Sequence, residues 1–356
     1  MMNDLDPAYE YKLKSLPRGK DAGVPVTFNC NTPHRALVVD LKSNCFVCSC
    51  DGYLPIPVGQ VQDFDTLEAV WTSAIAKVLQ QDVDSGKFTW CAVEHCGIRD
   101  RNIFRPIYEL AINIDESCNL HCPSCRRDTI MHTSGADFDK KKQDMLTILG
   151  WLKKFQHPIQ ITLSGNGDPF ASQVIRPLFK NFVPQDTHKF RLITNGLLIR
   201  KQLANSQLLS HIEIFSISVD AGSATVYKQV RRGGQWDVLM DNFDFLTENN
   251  KNHLVTLNFA VQKNNYKDLY NFVELCRKYN FAGCIHQLDD WGTWNYDTVQ
   301  TPDTWTIANG TYLDNSILMP SHPEHRECLR ILTDITNQKN KFITYTSIIK
   351  NLNNQK

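Results

Sequence analysis

The sequence predicts an α/β fold, a partial (β/α)6 barrel preceded by a small cysteine-rich domain, and three observations carry that prediction. From about residue 106 to 290, strand-like apolar runs alternate with amphipathic helical stretches, the pattern of a parallel sheet with helical crossovers. Six such strands can be counted, short of the eight that close a full barrel. Residues 1–105 break the alternation and are rich in Cys, Pro and Gly. The chain is long enough for more than one core. It divides by pattern into 1–105, a core at 106–300, and a helical extension at 301–356.

Within the core, YELAINI (108–114) reads as the first strand and runs into a cysteine loop. The helix after it carries Met145, Ile148, Leu149 and Leu152 on one face. PIQITLSG (158–165), KFRLITN (189–195) and HIEIFSISVD (211–220) are strands two to four. The next helix places Trp236, Leu239, Met240 and Phe243 on one stripe. HLVTLNFAV (253–261) is the fifth strand, followed by a helix with Leu269, Phe272, Val273 and Cys276, and AGCIHQL (282–288) is the sixth. In the N-terminal part, RALVVDL is a short strand and TLEAVWTSAIAKVLQQ a single helix with Leu67, Val70, Trp71, Ala74 and Val78 on one face. The tail carries one helix with Cys328, Ile331, Leu332 and Ile335.

Bulk chemistry excludes several classes. Acidic and basic residues balance at 38 each with no long basic run, so nucleic acid is not an indicated partner. No stretch reaches the ~18 apolar residues of a membrane span. The first residues lack the apolar core of a signal peptide, which argues for a cytoplasmic protein. Twelve cysteines in such a protein point to metal rather than disulfides.

The strongest motif is DESCNLHCPSCRRD, in which Cys118, Cys122 and Cys125 follow a strand end with C-x3-C-x2-C spacing. Cubane iron–sulfur clusters normally take four thiolates, so a compact loop that offers three suits a cubane with one open iron. The competing explanation is zinc, although no second cysteine pair follows closely downstream. In these residues the chain resembles the radical S-adenosylmethionine (radical SAM) superfamily over roughly 106–290. That resemblance implies a [4Fe–4S] cluster whose open iron is chelated by SAM. It also implies reductive cleavage to a 5′-deoxyadenosyl radical and hydrogen abstraction from a substrate.

Three further segments extend the resemblance. Ser164, Gly165, Asn166, Gly167 and Asp168, in SGNGDPF, look like the family's Gly-Gly-Glu-Pro segment, which contacts the SAM amino group; read alone, they are a turn. Asp168 stands where Glu is usual. Asn195 in LITNG would line the site. In SISVDAGSATVYKQVRRGG, Ser218, Asp220 and Arg231 fall where similar enzymes hold the SAM ribose and carboxylate, and Arg suits a carboxylate through its planar fork. Arg232 is the neighbouring alternative, and an exposed basic pair at a helix end is the non-functional one.

Six cysteines lie between Cys30 and Cys96, around a Val-Gly-Gln turn and the Trp71 helix. Their order resembles the SPASM-type auxiliary-cluster module, here ahead of the core instead of after it. The resemblance implies a second [4Fe–4S] cluster held by Cys30, Cys91 and Cys96, with Cys48 or Cys50 as the fourth ligand. A structural zinc site is the alternative, and Cys45 is expected to pack inward. Cys276, Cys284 and Cys328 are expected in the core.

After the sixth strand, HQLDDWGTWNY gathers Asp289, Asp290, Trp291 and Trp294. Aromatic surfaces beside carboxylates suit peptides, sugars or amines, and the first three residues are the candidate substrate contacts. His322 and His325 are candidate proton-transfer groups. The expected function is radical SAM chemistry on a peptide or protein side chain, or otherwise on a sugar or small metabolite. The electron would come from a donor such as flavodoxin or ferredoxin. A non-catalytic zinc-binding interaction protein is the reading from another class.

Overall fold

The computed structural model of the protein describes residues 30–48, 57–91, 105–164, 166–290, 308–338 and 342–345. It divides into two compact units. Unit 1 holds Met1–Glu116, His132–Arg191 and Ser206–Ile212, and unit 2 holds Ser117–Met131, Leu192–Asn205 and Glu213–Lys356. The fold is α/β with parallel strands, as the alternation predicts.

Unit 1 contains strands β1 (Ala36–Val39), β2 (Asn44–Phe46), β3 (Gly59–Gln60), β4 (Tyr108–Ile112), β5 (Ile159–Leu163) and the first residues of β6 (His188–Thr194), in the order β6-β5-β4-β1-β2-β3. β4 and β5 pair in parallel, from Tyr108 opposite Ile159 to Ile112 opposite Leu163. The segment 1–105, expected as a separate domain, contributes strands to this sheet. β1 adds to the same sheet, parallel to β4, with Ala36 opposite Glu109 and Val39 opposite Ile112. Asn31 fastens the junction, accepting from the Arg105 N–H at 2.8 Å and donating to its carbonyl at 3.1 Å. β2 pairs antiparallel with both β1 and β3. All four residues of β1 are buried, as expected for a strand covered on both faces.

A short helix α1 (Thr32–Arg35) precedes β1, and the helix expected around Trp71 is two helices, α2 (Leu67–Thr72) and α3 (Ala74–Asp84). Ser73 lies between them in an extended conformation, and its side chain caps the second by accepting from the Ala76 N–H. A new cap resets the helical phase. The buried face therefore passes from Leu67, Val70 and Trp71 to Ala76, Leu79 and Val83, and Val78 is exposed. The next helix, α4 (Ala136–Lys154), buries Met145, Ile148, Leu149 and Leu152 as predicted. It docks the N-terminal segment through Trp151, whose indole donates to the Phe64 carbonyl at 3.0 Å, and through Asp144, which accepts from Gln62 at 2.9 Å.

Unit 2 contains the end of β6, most of β7 (Ile212–Ser218), β8 (Val255–Val261), β9 (Ala282–Gln287) and β10 (Ile343–Tyr345), in the order β10-β9-β8-β7. β7 with β8, β8 with β9 and β9 with β10 pair in parallel, with Ser218 opposite Asn258 and Val261 opposite Gln287. β10 escaped the sequence reading, since three residues in a polar tail carry no period. Its Ile343 lies opposite Gly283 of β9, so the C-terminal part is not purely helical. On the helix over Trp236–Glu248 the stripe is shifted: Leu239 and Phe243 are buried with Phe245 and Leu246, whereas Trp236 and Met240 are half-buried. The helices over Leu269–Tyr279 and His325–Asn337 bury the faces predicted for them, including Cys276 and Cys328. Burial pushes both thiols up to about 12, which keeps them as protonated core residues. Gly222 is required by close approach: a Cβ there would lie 2.0 Å from the Phe272 backbone nitrogen. Among the described residues no helix is long and apolar enough to cross a membrane.

Candidate functional site

In unit 2 the cysteine loop is a closed structure. Its first residue is pinned by a bridge in which the Cys118 N–H donates to the Ile130 carbonyl at 2.8 Å. A turn follows, the N–H groups of Cys125 and Arg126 both donating to the Cys122 carbonyl at 2.9 and 3.0 Å. Between them the His121 N–H donates to the Arg232 carbonyl at 3.1 Å. Gly233 sits beside this contact at φ +88°, and a Cβ on it would come within 3.3 Å of the His121 ring. Cys122 is buried, Cys118 half-buried and Cys125 exposed.

Two of the expected SAM residues reach the loop's sulfurs. Asn195, buried just past β6, donates to Asn119 at 2.9 Å and to the Cys118 sulfur at 3.8 Å. Its own oxygen accepts from the Leu197 N–H. Arg231 caps the C-terminal end of the helix over Ala224–Val230. Its Nη1 donates to the Cys122 sulfur at 3.8 Å and its Nη2 pairs with Asp220 at 2.6 Å. Arg232 instead bonds Asn309. Burial pushes the Cys122 thiol up while Arg231 pulls it down. Burial opposes the Arg231 charge, yet Asp220 and Cys122 hold its pKa above the ordinary value.

Asp220 is the pivot of this arrangement. It follows β7 with φ +55°, a left-handed conformation that Asp tolerates better than most residues. Its N–H donates to the Asn258 carbonyl at 3.1 Å and its carbonyl accepts from Asn265 at 2.9 Å. Its Oδ1 accepts from the Ala260 N–H at 2.7 Å, leaving Oδ2 for Arg231. Ser218 ends β7 half-buried.

Within unit 1, the turn expected around Asp168 is present. Asp168 is buried, and its side chain accepts from the Phe170 N–H at 3.0 Å while its carbonyl accepts from Ala171 and Ser172. Ser164 donates to Asn113 at 3.2 Å. Gly165 lies outside the described residues; Asn166 and Gly167 are in the bend that follows. Sequence reasoning missed Asp115. It is buried, accepts from Ser172 Oγ at 2.6 Å, and its other oxygen is buried without a hydrogen-bond partner among the described residues. Its position at a strand end, in the motif's own DESC, was the available signal.

Of the N-terminal cysteines, Cys30 and Cys91 pack against the same small cluster, Val83 and Phe88, so residues distant in sequence share one neighbourhood. Cys48 is half-buried and Cys45 fully buried, its thiol pushed far up by burial and Asp40. Cys50 and Cys96 lie outside the described residues. On the expected substrate side, Asp289 and Asp290 are exposed after β9, and Trp291 and Trp294 lie outside the described residues. The two expected proton-transfer histidines are tied to backbone. His322 donates to the Asp314 carbonyl and accepts from the Glu324 N–H, and His325 donates to the Ile317 carbonyl.

The family model of the radical SAM superfamily matches residues 112–276. The chain carries a radical SAM domain. That family uses SAM and a [4Fe–4S] cluster, and the donors present fit the pair. Three cysteines stand on one pinned loop, with an N–H donor at each sulfur. Beside Cys122, Arg231 Nε is buried with no partner among the described residues, a donor with capacity for an incoming carboxylate. Among the described residues no three His, Cys, Asp or Glu converge as ligands to one metal ion. A cubane takes each thiolate on a different iron, so its ligands surround it.

Relatives of the radical SAM domain are distant. A probable GTP 3′,8-cyclase of Saccharolobus solfataricus is 25% identical over 181 residues, 48% of this chain and 53% of that protein. One of Methanocaldococcus jannaschii is 26% identical over 173 residues, 49% and 56% respectively. The chain thus spans about half the length of the curated relatives it matches. Among solved structures, native anSMEcpe with bound AdoMet and Cp18Cys peptide shares 16% identity over 51% of each chain at a TM-score of 0.38. TYW1 with a lysine-pyruvate adduct shares 18% over 53% of this chain and 70% of its own, at 0.32.

Proposed function

We propose that this chain holds a [4Fe–4S] cluster on Cys118, Cys122 and Cys125, binds SAM at the open iron, and abstracts hydrogen from an organic substrate. The observation that supports this most is the pinned three-cysteine loop inside a radical SAM domain, with Arg231 and Asn195 directed at its sulfurs. On one-electron reduction the bound cofactors supply a 5′-deoxyadenosyl radical, and the protein's part is binding, orientation and shielding. Asp220 aims Arg231, whose free Nε–H would bind the SAM carboxylate, and Ser218 would meet the ribose. The assignment of Ser164, Gly165, Asn166, Gly167 and Asp168 to the SAM amino group is supported by sequence position. Cys30, Cys91, Cys96 and one of Cys48 or Cys50 would hold the auxiliary cluster, supported by the shared packing of Cys30 and Cys91.

Asp289, Asp290 and Trp291 form the substrate side in this proposal. The exposed carboxylates after β9 suit a cationic or polar group and would repel a triphosphate, which favours a peptide or protein side chain. The second reading is a nucleotide or other small metabolite, favoured by relatives named as GTP cyclases. A low-potential donor such as flavodoxin or ferredoxin would supply the electron, and thiolate-held clusters suit a reducing cytoplasm. Anaerobic reconstitution with iron and sulfide tests the reading. It should give about eight irons per chain and release 5′-deoxyadenosine from SAM under reduction. Transfer of deuterium from a labelled peptide or from labelled GTP then separates the two substrates. Stoichiometric zinc with no iron uptake contradicts the whole reading.

A further inference from the structure

Each sulfur of the cysteine loop receives an N–H donor from a different side chain. Asn195 donates to Cys118 and Arg231 to Cys122, both at 3.8 Å, a normal separation for the large sulfur atom. Arg126, within the loop, bonds the Cys125 sulfur. The three donors come from three places: the end of β6, the end of a helix after β7, and the loop itself. Two are guanidiniums, which stay charged at any working pH. One of these, Arg231, is largely shielded, with its side chain 14% exposed, where charge acts through a lower dielectric than water.

Asp220 shows that the placement of Arg231 is built. A non-glycine residue in a left-handed conformation persists where its surroundings over-determine it, and here every hydrogen-bonding group of Asp220 is used. Three of its bonds go to backbone or to Asn265, and the fourth fixes Arg231 at 2.6 Å. The same carboxylate offsets part of the Arg231 charge, so the pair sets a graded positive field at Cys122 where a bare cation would set a stronger one.

We propose that Asn195, Arg126 and the Asp220–Arg231 pair set the reduction potential of the cluster held by Cys118, Cys122 and Cys125, Arg231 raising it and Asp220 tempering the rise. This rests on the cluster reading above. The step concerned is the entry of one electron from an external donor, with no bond made or broken. Hydrogen bonds and positive charge at the sulfurs favour the more negative, reduced state. Asp220 is a positioning residue in this scheme, since it acts through Arg231.

The test is potentiometry of the reconstituted full-length protein without SAM, followed by electron paramagnetic resonance, on wild type, Arg231→Met, Arg231→Lys, Asp220→Asn and Asn195→Ala. Arg231→Met should cut the reduced-to-oxidised ratio at the wild-type midpoint about tenfold, equivalent to about 59 mV for one electron. Arg231→Lys, which keeps the charge, should fall between it and wild type. Asp220→Asn keeps a residue that tolerates the left-handed conformation and removes only the countercharge, so its midpoint should rise. Asn195→Ala should give a smaller fall. Opposite shifts for Arg231→Met and Asp220→Asn would not arise from a purely structural role. Loaded clusters with unmoved midpoints, or shifts of the same sign in both, overturn the inference and leave the cluster reading standing. A wild-type protein that takes up no cluster overturns both. If Arg231→Met does not load, the Arg231→Lys and Asp220→Asn midpoints decide.

Discussion

The two groups of cysteines in this chain are organised in opposite ways. Cys118, Cys122 and Cys125 lie on one loop whose shape is fixed by its own backbone bonds and by the Ile130 and Arg232 carbonyls. Cys30 and Cys91 share the packing around a distant helix end, at Val83 and Phe88. The first group is a local device carrying its own electrostatics; the second depends on the fold around it. A cluster on the first should therefore tolerate damage elsewhere, and one on the second should not.

The largest effect expected from breaking the comparison is at the loop. Replacing Cys118, Cys122 and Cys125 together with Ala should halve the iron bound and abolish 5′-deoxyadenosine release, as measured by iron assay and chromatography. Full iron content in that variant would move the principal cluster elsewhere. The Cys30→Ala, Cys91→Ala double variant should also fall to about four irons but keep a reduced-cluster signal that responds to SAM; retention of all the iron would dismiss the auxiliary assignment. Next in size is Gly222→Ala, whose Cβ meets backbone and should cost at least about 3 kcal/mol in denaturant unfolding. Gly233→Ala, strained at φ +88° against His121, should cost roughly 1–2 kcal/mol and speed cluster loss in a chelator challenge. The smallest change is Ser73→Ala. It removes the cap that restarts the helix in the N-terminal segment and should cost about 1 kcal/mol in thermal unfolding, with loop-cluster content unaltered.

What was legible in the sequence was what has a short period. The six core strands and the buried faces over Met145–Leu152 and Leu269–Cys276 follow from apolar spacing, and the three-cysteine loop from ligand spacing. The break at Ser73 was hidden because Ala and Val continue the apolar pattern across it, although Ser is a good cap. β1 joining β4 and β10 joining β9 are long-range pairings that short strands do not announce. Arg231 was singled out as a carboxylate partner. Its bond to Asp220 and its reach to Cys122 depend on where the helix after β7 ends and on the left-handed backbone at Asp220, and neither leaves a mark in composition. Asp115 was passed over because an acid before a cysteine looks like any other loop residue until its buried, unpartnered oxygen is seen.

The central claim is that the loop's cluster has an open iron that SAM ligates. Electron paramagnetic resonance of the Cys30→Ala, Cys91→Ala variant, reduced with and without SAM, addresses it directly because only the loop cluster can contribute. The account predicts a reduced [4Fe–4S] signal whose g-values change when SAM is added, and methyl or carboxylate labels on SAM that couple to it. A reduced cluster with a spectrum indifferent to SAM, or no cluster at all, would contradict it.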